Sequence, residues 1–265
     1  MRLVVIIIAY KGDPWIPKCL GSIRSSTKHD IRLLVVDNYD TPCLKTLEPT
    51  KVPLSIVKTD RVMGFAEANN FALTCQESFG DAVVLLNQDT WSECDWIPAC
   101  ADILESAPRL SAISPSVRQY DSDELDVNYA SCLCEDGLQS STKAVEKISK
   151  APAVALMIRT RDLNEVGPFD PIFGSYYEDY DLCRRLSRLR DGVAITRSAW
   201  VRHYSGSATT SDEARRQRMI QIIRNKLIYR LRGENTHRIR TMARFCWCSI
   251  IPPCKSSGFR PKDSM

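Results

Sequence analysis

The chain opens on an unbroken apolar, largely β-branched run from Leu3 to Tyr10. A run without polar alternation marks a strand covered on both faces. The turn Lys11-Gly12-Asp13-Pro14 follows, and then Trp15, Ile16, Cys19, Leu20 and Ile23 recur at helical spacing. Ile31 to Val36 repeats the buried-strand pattern and ends at Asp37-Asn38. Leu54 to Lys58 gives a third strand, Phe65 to Phe79 is helical after Gly64, and Val83 to Leu86 runs as a fourth strand into Asn87-Gln88-Asp89-Thr90. Strands alternating with helices predict βαβ units, a mostly parallel central sheet flanked by helices, and right-handed crossovers.

Further along, the pattern predicts a helix from Asp95 to Ser106 and a strand near Leu110 to Ser114, after which residues 118–150 turn polar and read as an irregular insertion. A strand at Ala153 to Arg159 and the turn-rich Gly167-Pro168-Phe169-Asp170-Pro171 lead to a helix with Leu182, Leu186 and Leu189 on one face. Two short strands, Val193 to Thr196 and Trp200 to His203, complete a domain of residues 1–211. Residues 212–265 form a separate basic extension. Through residue 211 there are 23 Lys and Arg against 28 Asp and Glu, whereas beyond it there are 13 against 4. In that extension, Arg215, Arg216, Arg218, Arg224, Lys226, Arg230 and Arg232 interleave with Met219, Ile220, Ile222, Ile223, Leu227, Ile228 and Leu231, the signature of a basic amphipathic helix. No window approaches the roughly 18 apolar residues of a membrane span, and the opening run is too short for a signal peptide. The expectation is a cytoplasmic protein that reaches the inner membrane face only through its tail, where Trp247, Ile250 and Ile251 add apolar character. The 11 cysteines are scattered, which fits a reducing compartment, and the pairs Cys132/Cys134 and Cys246/Cys248 lack zinc-site spacing.

Chemistry is expected where the parallel strands end, because open α/β sheets bind ligands in the crevice outside their carboxyl ends. Asp37 closes the second strand, as a turn residue or as an acceptor for a nucleobase N–H. Asp89 follows the fourth, where one carboxylate together with phosphate oxygens suffices for Mg²⁺ or Mn²⁺. Glu178, Asp179 and Asp181 open a helix, which favours carboxylates electrostatically. Phe169, Phe173, Tyr176 and Tyr177 precede them, an apolar approach that would raise a carboxyl pKa toward that of a useful base. His203 closes the last strand.

These blocks, taken in order, resemble the family 2 glycosyltransferases of GT-A (Rossmann-like) fold, in their rhamnosyltransferase-like branch. The resemblance runs from residue 3 to about 232 through Val4 to Tyr10, Val35-Val36-Asp37-Asn38, Gly64 to Asn70, Leu85 to Thr90, Gly167 to Asp170, Tyr177 to Leu182, and His203. It implies an inverting transfer of a sugar, rhamnose foremost, from a dTDP- or UDP-linked donor to a saccharide or lipid-linked saccharide in cell-surface polysaccharide synthesis. It further implies that Asp37 contacts the base within a donor set of Ala9, Tyr10, Gly64, Asn69, Asn70 and Asn87. By the same resemblance Asp89 and His203 would hold a divalent cation, and Asp179 would deprotonate the acceptor beside Glu178. Three places depart from the family pattern. Ala9-Tyr10-Lys11 stands for the usual Thr-Tyr-Asn after the first strand, Val62 for the Asn two residues before Gly64, and Asn87 for the first Asp of the DXD motif.

Two other classes compete. A sugar-phosphate nucleotidyltransferase needs a Gly-rich basic phosphate loop after the first strand, which Ala9-Tyr10-Lys11-Gly12-Asp13 supplies poorly. A non-catalytic nucleotide-sugar-binding protein would have no need of Asp179. Nucleic acid is not an expected partner, since no recognised binding module or aromatic platform is present.

Overall fold

The computed structural model describes residues 1–75, 79–205 and 211–233. In chain order the elements are β1 (Arg2–Ala9), α1 (Ile16–Ser22), β2 (Asp30–Asp37), β3 (Leu54–Lys58), α2 (Phe65–Thr74), β4 (Ala82–Asn87), β5 (Thr90–Trp91), α3 (Trp96–Ser106), β6 (Ala112–Gln119), α4 (Val127–Glu135), β7 (Val145–Ile148), β8 (Ala155–Arg159), α5 (Thr160–Val166), α6 (Glu178–Leu186), β9 (Val193–His203) and α7 (Asp212–Leu231). The strands form one sheet in the order β3-β2-β1-β4-β8-β6-β9-β5, with β7 pairing on β9.

The first four strands are parallel, and β1 lies between β2 and β4 with Ala9 opposite Asp37 and Ile8 opposite Asn87. The chain leaves β1 in one direction and returns on its other side, so the crevice of the switch point opens at Ala9, Asp37 and Asn87. The apolar runs of β1, β2 and β4 are buried on both faces, as their sequence requires. The other half of the sheet is mixed. β8 runs antiparallel to both β4 and β6, whereas β6 and β9 are parallel to each other.

Three expectations need correction. Residues 118–150 are not irregular, since they contain α4 and β7 and bury Tyr129, Cys132 and Leu133. The two final short strands are one, β9, in which Arg197 to Ala199 bulge out between the pairs Pro115–Thr196 and Ser116–Trp200. The helix from Phe65 ends at Thr74, and residues 76–78 lie outside the described set.

The basic helix forms as expected, over α7, with Ser211 capping it by accepting the Ala214 N–H at 3.2 Å. It packs against α6 and the loop before it. Arg184 donates to the Tyr229 carbonyl at 2.7 Å, its guanidinium lies 4.2 Å from the Tyr229 ring, and Arg232 pairs with Asp170. Trp247, Ile250, Ile251 and the cysteines of the extension lie outside the described residues. No helix among the described residues is long and apolar enough to cross a membrane.

Candidate active site

Asp89 and His203 are brought together by a minimal ladder. The turn after β4 feeds directly into β5, whose two residues pair with β9 as Thr90 opposite His203 and Trp91 opposite Arg202. The Tyr204 N–H closes the ladder on the Asp89 carbonyl at 3.0 Å. His203 Nε2 therefore stands 3.5 Å from Asp89 Oδ1 and 3.4 Å from Asn87 Nδ2. On its other side, Nδ1 lies 3.1 Å from Asp126 Oδ2, which also accepts from the Ser205 hydroxyl. Burial alone would lower the imidazole pKa, but hydrogen bonds to Asp126 and Asp89 outweigh it and lift it to about 9. Burial acts against ionisation of Asp126 as well, yet His203 and Ser205 hold its carboxyl below the usual range.

This arrangement fits a divalent cation. Asn87 Oδ1 is buried without a partner beside the imidazole, Asp89 is 14% exposed toward the crevice, and Asp126 fixes the ring so that Nε2 faces Asp89. A metal on Asp89 and His203 would take the place of the proton now shared between them, with Asp126 as the carboxylate behind the histidine. Asp126 escaped the sequence reading because it sits in the polar stretch. Its signal was a cap, an Asp followed by apolar Tyr129, Cys132 and Leu133 at helical spacing, and its Oδ1 does accept from the Asn128 and Tyr129 N–H groups. A second acid and histidine cluster, His29 with Asp102 and Glu105, is already neutralised by Lys28 and the Met1 amine ahead of β1, at the opposite end of the sheet.

Donor-side residues line the ends of β1, β2 and β3. A cavity of about 420 Å³ is walled by Asn38, Tyr39, Asp40, Lys58, Thr59, Asp60, Arg61 and Val62, a volume within the range of small-molecule pockets. Asp37 precedes the cavity wall at Asn38 and does not itself line the cavity; it is buried, with Oδ1 accepting the Thr41 N–H at 2.8 Å. Asn38, which the sequence reading quoted only as part of a motif, holds the loop ahead of Gly64 by exchanging two 2.9 Å hydrogen bonds with the Met63 backbone. Ala9 is buried and contributes its backbone, its carbonyl accepting from Asn38 N at 2.8 Å. Gln88 clamps the Tyr10 backbone at both N–H (2.9 Å) and carbonyl (2.7 Å), and a side chain on Gly12 would collide with that amide. Lys11, at φ +50°, turns its ammonium between the Tyr10 and Tyr39 rings, 5.5 and 5.3 Å from their centroids.

Gly64, Asn69 and Asn70 serve the scaffold around this pocket. A side chain at Gly64 would press on the Gly174 carbonyl at 3.2 Å. Asn69 bonds back to the Phe65 carbonyl at 2.9 Å, and Asn70 grips Phe169 through both ends of its amide, at 2.8 and 3.0 Å. None of these three amide contacts reaches toward the cavity. The loop after Gly167 is thereby tied to α2.

The acidic cluster divides into three environments. Asp181 is buried between Arg184 (2.6 Å) and Arg185 (2.9 Å), and Arg185 in turn donates to the carbonyls of Val166, Gly167 and Pro168. It is an anchor for α6. Glu178 is buried with Oε2 unpartnered, and burial together with the neighbouring Asp179 charge raises its pKa well above the usual range. Asp179 is raised to about 6, chiefly by burial, with hydrogen bonds from the backbones of Ala153 (3.1 Å) and Tyr180 (2.8 Å) limiting the rise. It is linked to the end of β4, because the Ala153 N–H donates to Asp179 while Val154, the next residue, accepts the Asn87 N–H at 2.9 Å.

The comparisons with known proteins concern the family and the fold. The model of glycosyl transferase family 2 matches residues 4–164. An N-acetylglucosaminyl-diphospho-decaprenol L-rhamnosyltransferase of Mycobacterium tuberculosis is 23% identical over 80% of this chain and 79% of its own. Among solved structures, Staphylococcus aureus TarS in complex with UDP-GlcNAc superposes with a TM-score of 0.61 at 15% identity, over 93% of this chain and 72% of that one. The Pyrobaculum calidifontis mannosyltransferase PcManGT with GDP-Man and Mn²⁺ gives 0.65 at 18% identity, over 88% and 65%. GalNAc-T7 with UDP, GalNAc and Mn²⁺ gives 0.67 at 10% identity, over 94% and 51%. The GT-A fold expected from the sequence is the fold observed, and the chain belongs to glycosyl transferase family 2.

Proposed function

We propose that the protein is an inverting transferase that moves a sugar from a nucleoside-diphosphate donor to a hydroxyl of a saccharide or lipid-linked saccharide in cell-surface polysaccharide synthesis. The observation that carries this reading is the pairing of Asp89 with His203 just beyond β4, together with the link of Asp179 through Ala153 and Val154 to Asn87 at the end of that strand. A divalent cation held by Asp89 and His203, Mg²⁺ or Mn²⁺, would supply Lewis-acid neutralisation of charge developing on the diphosphate leaving group. The cavity walled by Asn38 and Tyr39 takes the nucleobase. Asp179, ionised above about pH 6, accepts the proton of the incoming hydroxyl, whose oxygen attacks the anomeric carbon as the bond to the diphosphate breaks on the opposite face. One displacement inverts the centre and one base suffices. Burial is what lifts Asp179 into the range of a useful base.

The name of the M. tuberculosis relative supports L-rhamnose as the sugar and a polyprenyl-diphosphate-linked acceptor, and a dTDP- or UDP-linked donor would carry that sugar here. A lipid-linked acceptor would suit peripheral contact with an anionic membrane through α7, which exposes Met219 (56%), Ile220 (50%) and Ile223 (61%) beside the exposed Arg215, Arg216 and Arg224. Flotation of the full chain with phosphatidylglycerol vesicles tests this, since truncation at Ser211 should abolish it, and equal flotation of both proteins contradicts it. The reaction reading is tested by thermal melts against UDP-, dTDP- and GDP-sugars with and without Mn²⁺. A donor at 100 times its Kd stabilises by about 2.7 kcal/mol, and the shift should require the metal. Absence of any shift across the panel contradicts the proposal.

A further inference from the structure

The last helix reaches back into the loop that delivers the acids. Asn225 is fully buried on α7, although Arg224 and Lys226 on either side of it are exposed. Its amide nitrogen donates toward three carbonyls of that loop, Phe173 at 2.6 Å, Ser175 at 2.8 Å and Tyr176 at 2.8 Å. Arg224 adds a 2.8 Å bond to the Ile172 carbonyl. The loop so held is where the backbone is least relaxed, with Gly174 at φ +66° and both Tyr176 and Tyr177 at +72°. Consecutive left-handed tyrosines persist only where the surroundings over-determine them. Glu178 and Asp179 follow immediately. From the other side, α2 fixes the same loop, its Ala66 N–H donating to the Gly174 carbonyl at 2.8 Å and its Phe65 N–H to the Ser175 hydroxyl at 3.1 Å.

We propose that Asn225 is a positioning residue for sugar transfer, its three-carbonyl anchorage holding the Gly174–Tyr177 loop in the left-handed geometry that presents Asp179 to the acceptor. The inference rests on Asp179 as the base. Asn225 acts through the loop, because the titratable groups that face Asp179 among the described residues are Tyr177, Glu178, Tyr180 and Cys183 around α6, Lys150 ahead of β8 and Cys132 on α4. None of them lies on α7. An aspartate of the same shape at 225 would turn lone pairs toward three carbonyl oxygens, whereas glutamine keeps the donor.

The test uses the full chain with Asn225→Asp, Asn225→Ala, Asn225→Gln and, as a control, Gln217→Ala, whose side chain bonds only to Glu213 on the same helix. Hydrogen exchange over residues 173–181 should rise at least tenfold in Asn225→Asp and Asn225→Ala. Nucleotide release from dTDP-rhamnose should lose at least tenfold in kcat at unchanged KM, and its acid limb should move to lower pH as Asp179 gains solvent. Calorimetric affinity for dTDP with Mn²⁺ should stay within twofold, Asn225→Gln should recover part of the loss, and Gln217→Ala should match wild type. The exchange arm needs no substrate, so a wild-type loop in Asn225→Asp overturns the clamp by itself, as does a lost kcat with unchanged exchange. Wild-type turnover by Asp179→Asn would instead overturn the base assignment and leave the exchange result standing.

Discussion

Asp89 and Asp179 are the same residue type, yet their surroundings differ. Asp89 sits at a strand end, partly exposed, 3.5 Å from an imidazole that a second carboxylate keeps cationic. Asp179 sits at a helix start beside Glu178, its oxygens accepting from the backbone N–H groups of Ala153 and Tyr180. The first environment suits a carboxylate that meets a metal and phosphates. The second suits a charge that comes and goes with a proton. The two carboxylates therefore suit the different roles proposed for them.

The comparison breaks most visibly at Asp179. Asp179→Asn should lower kcat by ~10²–10⁴-fold, the usual worth of a general base, while leaving Mn²⁺-dependent nucleotide binding intact in calorimetry. On the other side, Asp126→Asn should weaken Mn²⁺ by ~10–100-fold, because the partner that orients His203 is lost, and should leave the acid limb of turnover unmoved. A titration of metal followed by a pH profile on the same protein separates the two.

The pH dependence sharpens the contrast further. Asp179 is raised when folded, from 3.8 to about 6, so folding favours its protonated form. The stability it contributes is present below the unfolded pKa and is lost as pH rises through about 6, a change of up to about 3 kcal/mol. Turnover should rise over the same window, since the base must be ionised. Denaturant melts at pH 4 and pH 7 should thus show wild type losing stability that Asp179→Asn does not lose. A smaller effect is expected at the scaffold, where Asn70→Ala strips both hydrogen bonds from Phe169 and should cost about 1–3 kcal/mol in thermal melts.

Much of this was legible in the sequence because burial on both faces leaves an unmistakable apolar run. β1, β2 and β4, and with them the placing of Asp37 and Asp89 at strand ends, follow from that pattern. His203 followed in the same way from the apolar end of β9. What remained hidden depends on contacts between distant residues. The antiparallel sense of β8 has no local signature, since a buried strand reads alike in either direction, and β9 looked like two strands because its bulge carries the polar Arg197 and Ser198. Asp126 was masked by polar neighbours, and its value comes from meeting His203 across 77 residues. Asn225 sits in a run of arginines and isoleucines and reads as solvated surface until its three carbonyl partners, about 50 residues back, are seen.

The most direct measurement is a crystal structure with dTDP and Mn²⁺. The metal should lie on Asp89 and His203 Nε2, bridged to the diphosphate, with the Asp179 carboxylate opening onto the space beyond the terminal phosphate. Metal bound elsewhere, at His29, Asp102 and Glu105 for instance, or an Asp179 walled off from the nucleotide, would contradict the account.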